Sequence, residues 1–268
     1  MTSANKSPAA ARVGQVQSLS RAFQLLMRLS EGELGFTLSE LANQEQLPPS
    51  TVHRLLNSMR ELGFAELDES KGLWSVGINA FRCGNAYLKK RDFITQARSV
   101  MKRLVAATGE TSNLGVLQQG QVVFVGQVEC SAMMRMAVPV GNSGPIHASG
   151  VGKALLSALP MKEALALLAE QGMPELTAQT LRNTEQFSDE LRAIRLRGYA
   201  IDDQEQAEGL ICIAANIYDE FGMALAAVSI SGPTVRVQPS RLEAVGAQVV
   251  AAADEITDLI GGCRPEGQ

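Results

Sequence analysis

From Leu19 onward the apolar residues recur with helical spacing. Leu19, Ala22, Phe23, Leu26 and Leu29 stand at i, i+3, i+4, i+7 and i+10, which predicts a first helix with Ser18 as its cap and Gly32 or Gly35 beyond its end. A short second helix should begin at Thr37, because Thr37 and Glu40 have the spacing of a capping box and Leu38, Leu41 and Ala42 would turn inward. Residues 44–47 supply a turn. A third helix is predicted over 50–62, where Val52, Leu55, Leu56 and Met59 make one apolar stripe. After Gly63 the period falls to two: residues 64–67 and 73–76 read as strands joined by the polar turn 68–72. Three short helices and a hairpin are the outline of a winged helix-turn-helix, too small a core for an enzyme but enough to hold a reading helix rigidly.

The other edge of the third helix carries chemistry. Ser50, Thr51, His53, Arg54, Asn57 and Arg60 are donor-bearing and long enough to reach base edges and phosphates in a major groove, and Lys71 of the hairpin turn would lie near the backbone or minor groove. A solvated helix face would look similar, so neighbouring segments decide. A complete helix-turn-helix with a wing around that stripe favours double-stranded DNA.

Past the hairpin, residues 78–90 predict a connecting helix that ends in Lys89, Lys90 and Arg91, a basic run that suits a helix C-terminus. A helix from 93 to 108 follows, then strands at 111–117 and 122–128 around the turn at Gly120, and a further strand at 133–140. Helices are expected at 147–159, 162–171, 184–197 and 239–260, with strands at 199–202, 210–218 and 224–231. This alternation predicts an α+β domain with a central antiparallel sheet. The organisation expected is a disordered tail over 1–15, a DNA-binding domain over 16–77, a linker helix over 78–92 and a second domain over 93–268.

Charge divides the chain in the same place. Residues 1–92 carry a net +2 and residues 93–268 a net −6, giving the formal −4 of all 268 residues. A basic head on an acidic body suits a DNA reader joined to something else. The first residues lack a signal-peptide core, no run of 18 uncharged apolar residues occurs, and Cys83, Cys130, Cys212 and Cys263 never form C-x-x-C. A soluble cytoplasmic protein with free thiols, no metal and no cofactor is expected.

The segment 144–153 is the place for a ligand. Ala148, Ser149, Gly150, Val151 and Gly152 at a helix start leave backbone N–H groups uncovered for an anion such as a carboxylate. It is no P-loop, since His147 stands where the first glycine belongs and Ala154 where the hydroxyl belongs. It is no dinucleotide fingerprint either, because Leu155 replaces the third glycine. Asp202, Asp203 and Glu205 precede Leu210 and Cys212, while Ser229 and Ser231 alternate along one strand so that both hydroxyls share a face. These would ring a small acid with hydroxyl, thiol and amide groups. Each is equally at home as a core residue, a turn capper or a strand polar residue. Two rivals use the same residues differently. Cys212 as nucleophile with His147 as base and Asp202 as orienter would make a hydrolase, and a degenerate helix-turn-helix would make a protein-interaction module.

The chain resembles the IclR family of transcriptional regulators over nearly its whole length. The motifs that carry the resemblance are Val16-Gln-Ser-Leu-Ser-Arg21, Leu47-Pro-Pro-Ser-Thr-Val-His-Arg-Leu-Leu56, His147-Ala-Ser-Gly-Val-Gly-Lys-Ala-Leu155, Gly198-Tyr-Ala-Ile-Asp-Asp203, residues 209–212 and Ser229-Ile-Ser-Gly-Pro233. Gln127-Val-Glu-Cys130 and Met134-Arg-Met136 are similar to the subgroup that senses glyoxylate, pyruvate or allantoin-pathway metabolites. The resemblance implies a linker helix used in dimerisation, a GAF-like effector domain, and dimers that pair into tetramers on a pseudo-palindromic operator. It implies carboxylate contacts at Gly150, Val151, Asp202, Cys212, Ser229 and Ser231, and an apolar wall at Met133, Met136, Gly144 and Leu210. Gly144 stands where glyoxylate sensors have leucine, and Val151 where they have alanine. The first should widen the wall and the second narrow the entrance, so the expected effector is a small carboxylic or oxo acid, with room for one larger than glyoxylate. The expected function is a repressor controlled by that acid, or alternatively an activator of an aromatic- or organic-acid catabolic operon.

Overall fold

The computed structural model describes residues 16–32, 34–89, 92–136 and 138–265. The expected tail over 1–15, and Lys90 and Arg91 of the basic run, lie outside the described residues. The chain divides into two compact units, Met1–Lys90 and Arg91–Gln268.

In the first unit, α1 (Gln17–Leu29), β1 (Phe36–Thr37), α2 (Leu38–Gln44), α3 (Pro49–Glu61), β2 (Ala65–Asp68), β3 (Leu73–Val76) and α4 (Ile78–Lys89) follow in order. The capping box forms as the spacing predicts: Thr37 Oγ1 accepts the Glu40 N–H at 3.3 Å and Glu40 accepts the Thr37 N–H at 2.8 Å. Gly63 ends α3 with φ +71°, where the Phe64 N–H returns to the Met59 carbonyl at 2.8 Å. Strands β2 and β3 pair antiparallel from Ala65–Val76 to Asp68–Leu73, and β1 lies on the other side of β3. Val52, Leu56 and Met59 of α3 are buried with Leu25, Leu29, Leu41 and Trp74.

Two expectations for α1 are corrected. Its core face is centred on Leu25 and Leu29, with Ala22 and Leu26 half-buried, while Leu19 and Phe23 are 55% and 58% exposed. So small a unit covers only the stripe that faces α3 and β3. Nor does Ser18 cap the helix: α1 starts two residues earlier than that cap implies, at Gln17, Val16 is the N-cap without a side-chain hydrogen bond, and Ser18 sits inside the first turn.

The second unit contains α5 (Asp92–Thr108), β4 (Thr111–Gln118), β5 (Gln121–Val128), β6 (Ser143–Gly144), α6 (Gly150–Ala158), α7 (Met161–Gln171), α8 (Thr184–Arg197), β7 (Ala200–Asp203), β8 (Leu210–Tyr218), β9 (Ala224–Pro233), a 3-10 turn at Pro239–Arg241 and α9 (Leu242–Leu259). The strands form one antiparallel sheet in the order β6-β5-β4-β9-β8-β7. Because side chains alternate along each strand, the sheet has two dissimilar faces. Ile211, Ile213, Val228, Ile230 and Leu114 pack under α5 and α9. Ala214, Ala227, Val122 and Phe124 pack under α6, α7 and α8.

The strand expected over 133–140 is absent among the described residues there. The free edge of β5 pairs instead with the next segment: Phe124 N–H donates to Asn142 O at 3.0 Å, Gly141 N–H to Phe124 O at 2.7 Å, and β6 completes the edge. Met133 and Met134 face solvent.

Candidate functional site

On α3, His53, Arg54, Ser50 and Arg60 are exposed, and Thr51 and Asn57 are half-buried. The buried stripe described above holds this edge outward. Asn57 Nδ2 lies 3.1 Å from His53 Nε2, one turn away, so these two side chains form one polar unit. Arg60 Nη2 reaches Glu69 Oε1 of the wing turn at 3.3 Å, and Lys71 Nζ lies 3.4 Å from Asp68 Oδ2. Asp68 also accepts the Ser70 hydroxyl and backbone N–H groups of Ser70 and Lys71, bonds that shape the turn and hold its carboxyl below the usual carboxylate range. Arg54 is exposed, with no ion pair among the described residues.

The second candidate site lies under α6. The antiparallel register aligns Asp202, Cys212, Ser231 and Thr111 in one row across β7, β8, β9 and β4. Ala214, Ser229, Asn113 and Gln127 form the neighbouring row, which runs on to β5. Both rows are on the face that carries α6. Asp202, Cys212, Ser229, Ser231, Thr111 and Asn113 are buried.

Gly150 begins α6 directly over Cys212: a Cβ there would stand 2.9 Å from Cys212 Sγ and 3.1 Å from its carbonyl oxygen. Only glycine lets the helix start come this close. Gly152 is tighter still, with Ile146 O at 2.2 Å from a would-be Cβ. The cap residue Ser149 accepts the Gly152 N–H at 3.1 Å and donates to Pro145 O at 2.6 Å. The N–H groups of Gly150 and Val151 are left at the positive end of the helix, where the Gly150 N–H meets the Cys212 thiol.

Electrostatics distinguish the two acids of this cluster. Burial pushes Asp202 up to about 7, while N–H groups of Glu205 and Gln206 on Oδ1, at 2.8 and 3.3 Å, hold it down in part. Burial and the neighbouring Asp202 push the Cys212 thiol up to about 11, against hydrogen bonds from Ser231, Ser229 and Gly150. A thiol so disfavoured as thiolate is a poor nucleophile. His147, the base required by the hydrolase reading, turns its Nε2 to Pro174 O at 3.0 Å. The Cys-His-Asp triad is therefore not assembled.

Among the residues expected to surround a ligand, Gly150, Asp202, Cys212, Ser229 and Ser231 come together. Leu210 is buried two residues before Cys212 on the same face of β8. Val151 follows Gly150 in the first turn of α6, and its side chain lies in the apolar layer with Cγ1 2.8 Å from a would-be Cβ of Gly115. The narrowing expected from valine is thus directed at β4. Gly144 stands at the far end of this face against Phe124, Met136 is half-buried, and Met133 is 99% exposed. These last three are not brought against the Cys212 row.

Sequence reasoning missed Thr111 and Asn113, and treated Gln127 only as a family marker. Asn113 Nδ2 donates to Ser231 Oγ at 3.3 Å, and Gln127 Nε2 donates to Asn113 Oδ1 at 2.9 Å. The alternation Thr111, Asn113, Gly115 was the available signal.

Comparison with known proteins decides between the readings. Residues 18–69 match the IclR helix-turn-helix domain and residues 85–258 match the bacterial transcriptional regulator IclR C-terminal domain. The chain belongs to the IclR family. It is 42% identical over 253 residues to the acetate operon repressor of Salmonella typhimurium, covering 94% of this chain and 92% of that protein. It is 40% identical to the transcriptional repressor IclR of Escherichia coli, with the same coverage. The IclR of Thermotoga maritima superposes with a TM-score of 0.75 at 25% identity, over 91% of this chain and 98% of that one. This IclR-family chain is a DNA-binding transcriptional regulator with a C-terminal effector-binding domain, not an enzyme. No helix among the described residues is long and apolar enough to cross a membrane.

Proposed function

We propose that the chain is a cytoplasmic repressor that acts as a homodimer, with two dimers pairing on a pseudo-palindromic operator, and that a small carboxylic or oxo acid sets its affinity for DNA. Ser50, Thr51, His53, Arg54, Asn57 and Arg60 read the major groove, and Lys71 contacts the flanking backbone. The acid's carboxylate takes the N–H groups of Gly150 and Val151 with Cys212, Ser229, Ser231 and Asp202 around it, against Leu210. One observation carries the effector half. Asp202 Oδ2 is buried with no hydrogen-bond partner among the described residues, directly beside a helix N-terminus, and a buried polar group of that kind calls for a ligand. The name of the Salmonella relative, a repressor of an acetate operon, supports both repression and a short-chain acid.

A thermal-shift screen over two- to four-carbon acids tests this directly, since a ligand bound only by the folded state raises the melting temperature. A flat response to every acid would end the effector reading. The two halves should also separate by mutation. Arg54→Ala is expected to lower affinity for the protein's own upstream region by about ten- to a hundredfold (~1–3 kcal/mol) in a gel shift, and to leave the acid-induced thermal shift unchanged. Equal loss of both responses would contradict this division of labour.

A further inference from the structure

Behind the proposed ligand cradle, four charged side chains cancel one another before Asp202 is counted. Lys153 leaves α6 one residue after Gly152, is 1% exposed, pairs with Glu205 and lies 3.4 Å from Glu190 Oε1 on α8. Glu190 also accepts Arg197 Nη2 at 2.7 Å. Two cations thus face two carboxylates. Asp202 is the remaining carboxyl group of the cluster. Its Oδ1 is occupied by the Glu205 and Gln206 N–H groups, and its Oδ2 has no partner among the described residues.

Among the described residues, the other elements packed around Asp202 bring no compensating charge. From β8 comes the Cys212 thiol and from β9 the Ser231 hydroxyl. The 172–183 loop brings Thr177 and Thr180, whose hydroxyls are spent on the Gln204 and Glu205 carbonyls at 2.6 and 2.7 Å. His147, ahead of α6, is turned to Pro174. Asp203 is exposed. Lys153 is the cation that acts on Asp202, and it is already paired with Glu205.

A ligand carboxylate at the Gly150 N–H would therefore meet a second carboxylate in a buried site, and like charges so placed cannot both remain ionised. We propose that the acid binds together with one proton, carried on Asp202 Oδ2 and donated as a hydrogen bond to the ligand carboxylate, and that the Lys153–Glu205 pair sets the pH range in which this occurs. The inference rests on the effector reading above and adds a proton to it. When Asp202 is ionised beforehand, the proton comes from solvent. The position of Asp202 near 7 puts the transition within the physiological range. Lys153 and Glu205 act as positioning residues: Glu205 holds its own N–H on Asp202 while its carboxylate offsets the lysine charge.

Calorimetric titration of the full chain with pyruvate, in two buffers of different ionisation enthalpy, counts the protons taken up. Wild type is expected to take up close to one proton per pyruvate at about pH 8.5 and close to none at about pH 6, with Kd rising about tenfold per pH unit above neutrality. Asp202→Asn presents an amide N–H where the acid proton stood. It should bind pyruvate with no proton uptake and a pH-independent Kd. Glu205→Gln leaves Lys153 uncompensated beside Asp202, so the fall in affinity should begin at least about one pH unit lower. Pyruvate binding at pH 8.5 without proton uptake overturns the inference and leaves the effector reading standing. Failure of every two- to four-carbon acid to bind wild type overturns both. Should either variant fail to fold, the wild-type proton count decides alone.

Discussion

Replacing Gly152 by alanine is expected to lower the melting temperature of the 91–268 unit by roughly 5–12 °C, taking about 2–4 °C per kcal/mol for a unit of this size. The new Cβ would stand 2.2 Å from the Ile146 carbonyl oxygen and 2.7 Å from the Ile146 carbonyl carbon and Cα. All three are backbone atoms, so no rotamer change relieves the clash. The first turn of α6 must lift away from residues 146–149, which also breaks the Ser149 cap on the Gly152 N–H. Overpacking of this kind costs ~1–3 kcal/mol and loss of a serine cap ~1 kcal/mol. The helix-forming advantage of alanine, at most about 1 kcal/mol, does not offset them. Gly84→Ala on α4 is the control, because nothing lies within 4 Å of a Cβ there. Differential scanning calorimetry of both variants reads the result. An unchanged transition in Gly152→Ala would mean that α6 is not held against the 146–149 turn. Since the displaced turn carries the Gly150 and Val151 N–H groups, the response to acids should be lost with the stability.

Asp202→Asn should do the opposite above neutrality and stabilise the ligand-free protein. The folded protein holds Asp202 at about 7, against an ordinary value of 3.8. A carboxyl raised in this way favours the folded state fully below about pH 4, and that contribution is lost as pH rises through about 7. In between, the unfolded chain ionises Asp202 and the folded chain does not. A difference of about three pKa units corresponds to ~4 kcal/mol when the loss is complete. The asparagine side chain accepts the same Glu205 and Gln206 N–H groups and never ionises. Urea unfolding of wild type and variant from about pH 4 to about pH 9 should therefore give curves that converge at the acid end and separate by several kcal/mol above pH 7. Parallel curves across the whole range would show that Asp202 does not titrate on folding.

The first unit was almost fully legible because its signals are local. The Thr37–Glu40 capping box, the Val52, Leu56, Met59 stripe and the turn at Gly63 each act within a few residues. The first helix was misread by part of a turn, since Leu19 and Phe23 fit the helical period but find no element of the unit to cover them. The segment 133–140 was misread for a related reason. Its alternating Met and Val residues look like a strand, but strand identity also needs a partner, and β5 gives its free edge to residues 141–144. In the effector cluster, alternation along β9 revealed that Ser229 and Ser231 share a face. Alternation cannot reveal cross-strand register, so Asn113 opposite Ser229 and Thr111 opposite Ser231 stayed hidden. Lys153 was the hardest case. A lysine in the first turn of a helix reads as surface, and its burial depends on Glu205, 52 residues further on.

That cross-strand register governs the order in which a growing chain acquires its abilities. Thr111 must wait for Ser231 before the Asp202, Cys212, Ser231 row exists, whereas α1 to β3 close their own core by Val76. Domains emerging from the ribosome tend to fold as units from the N-terminal end. During synthesis the reading head can thus mature while the sensing half is still in fragments, and a message cut short before β9 would yield a head that no metabolite could address.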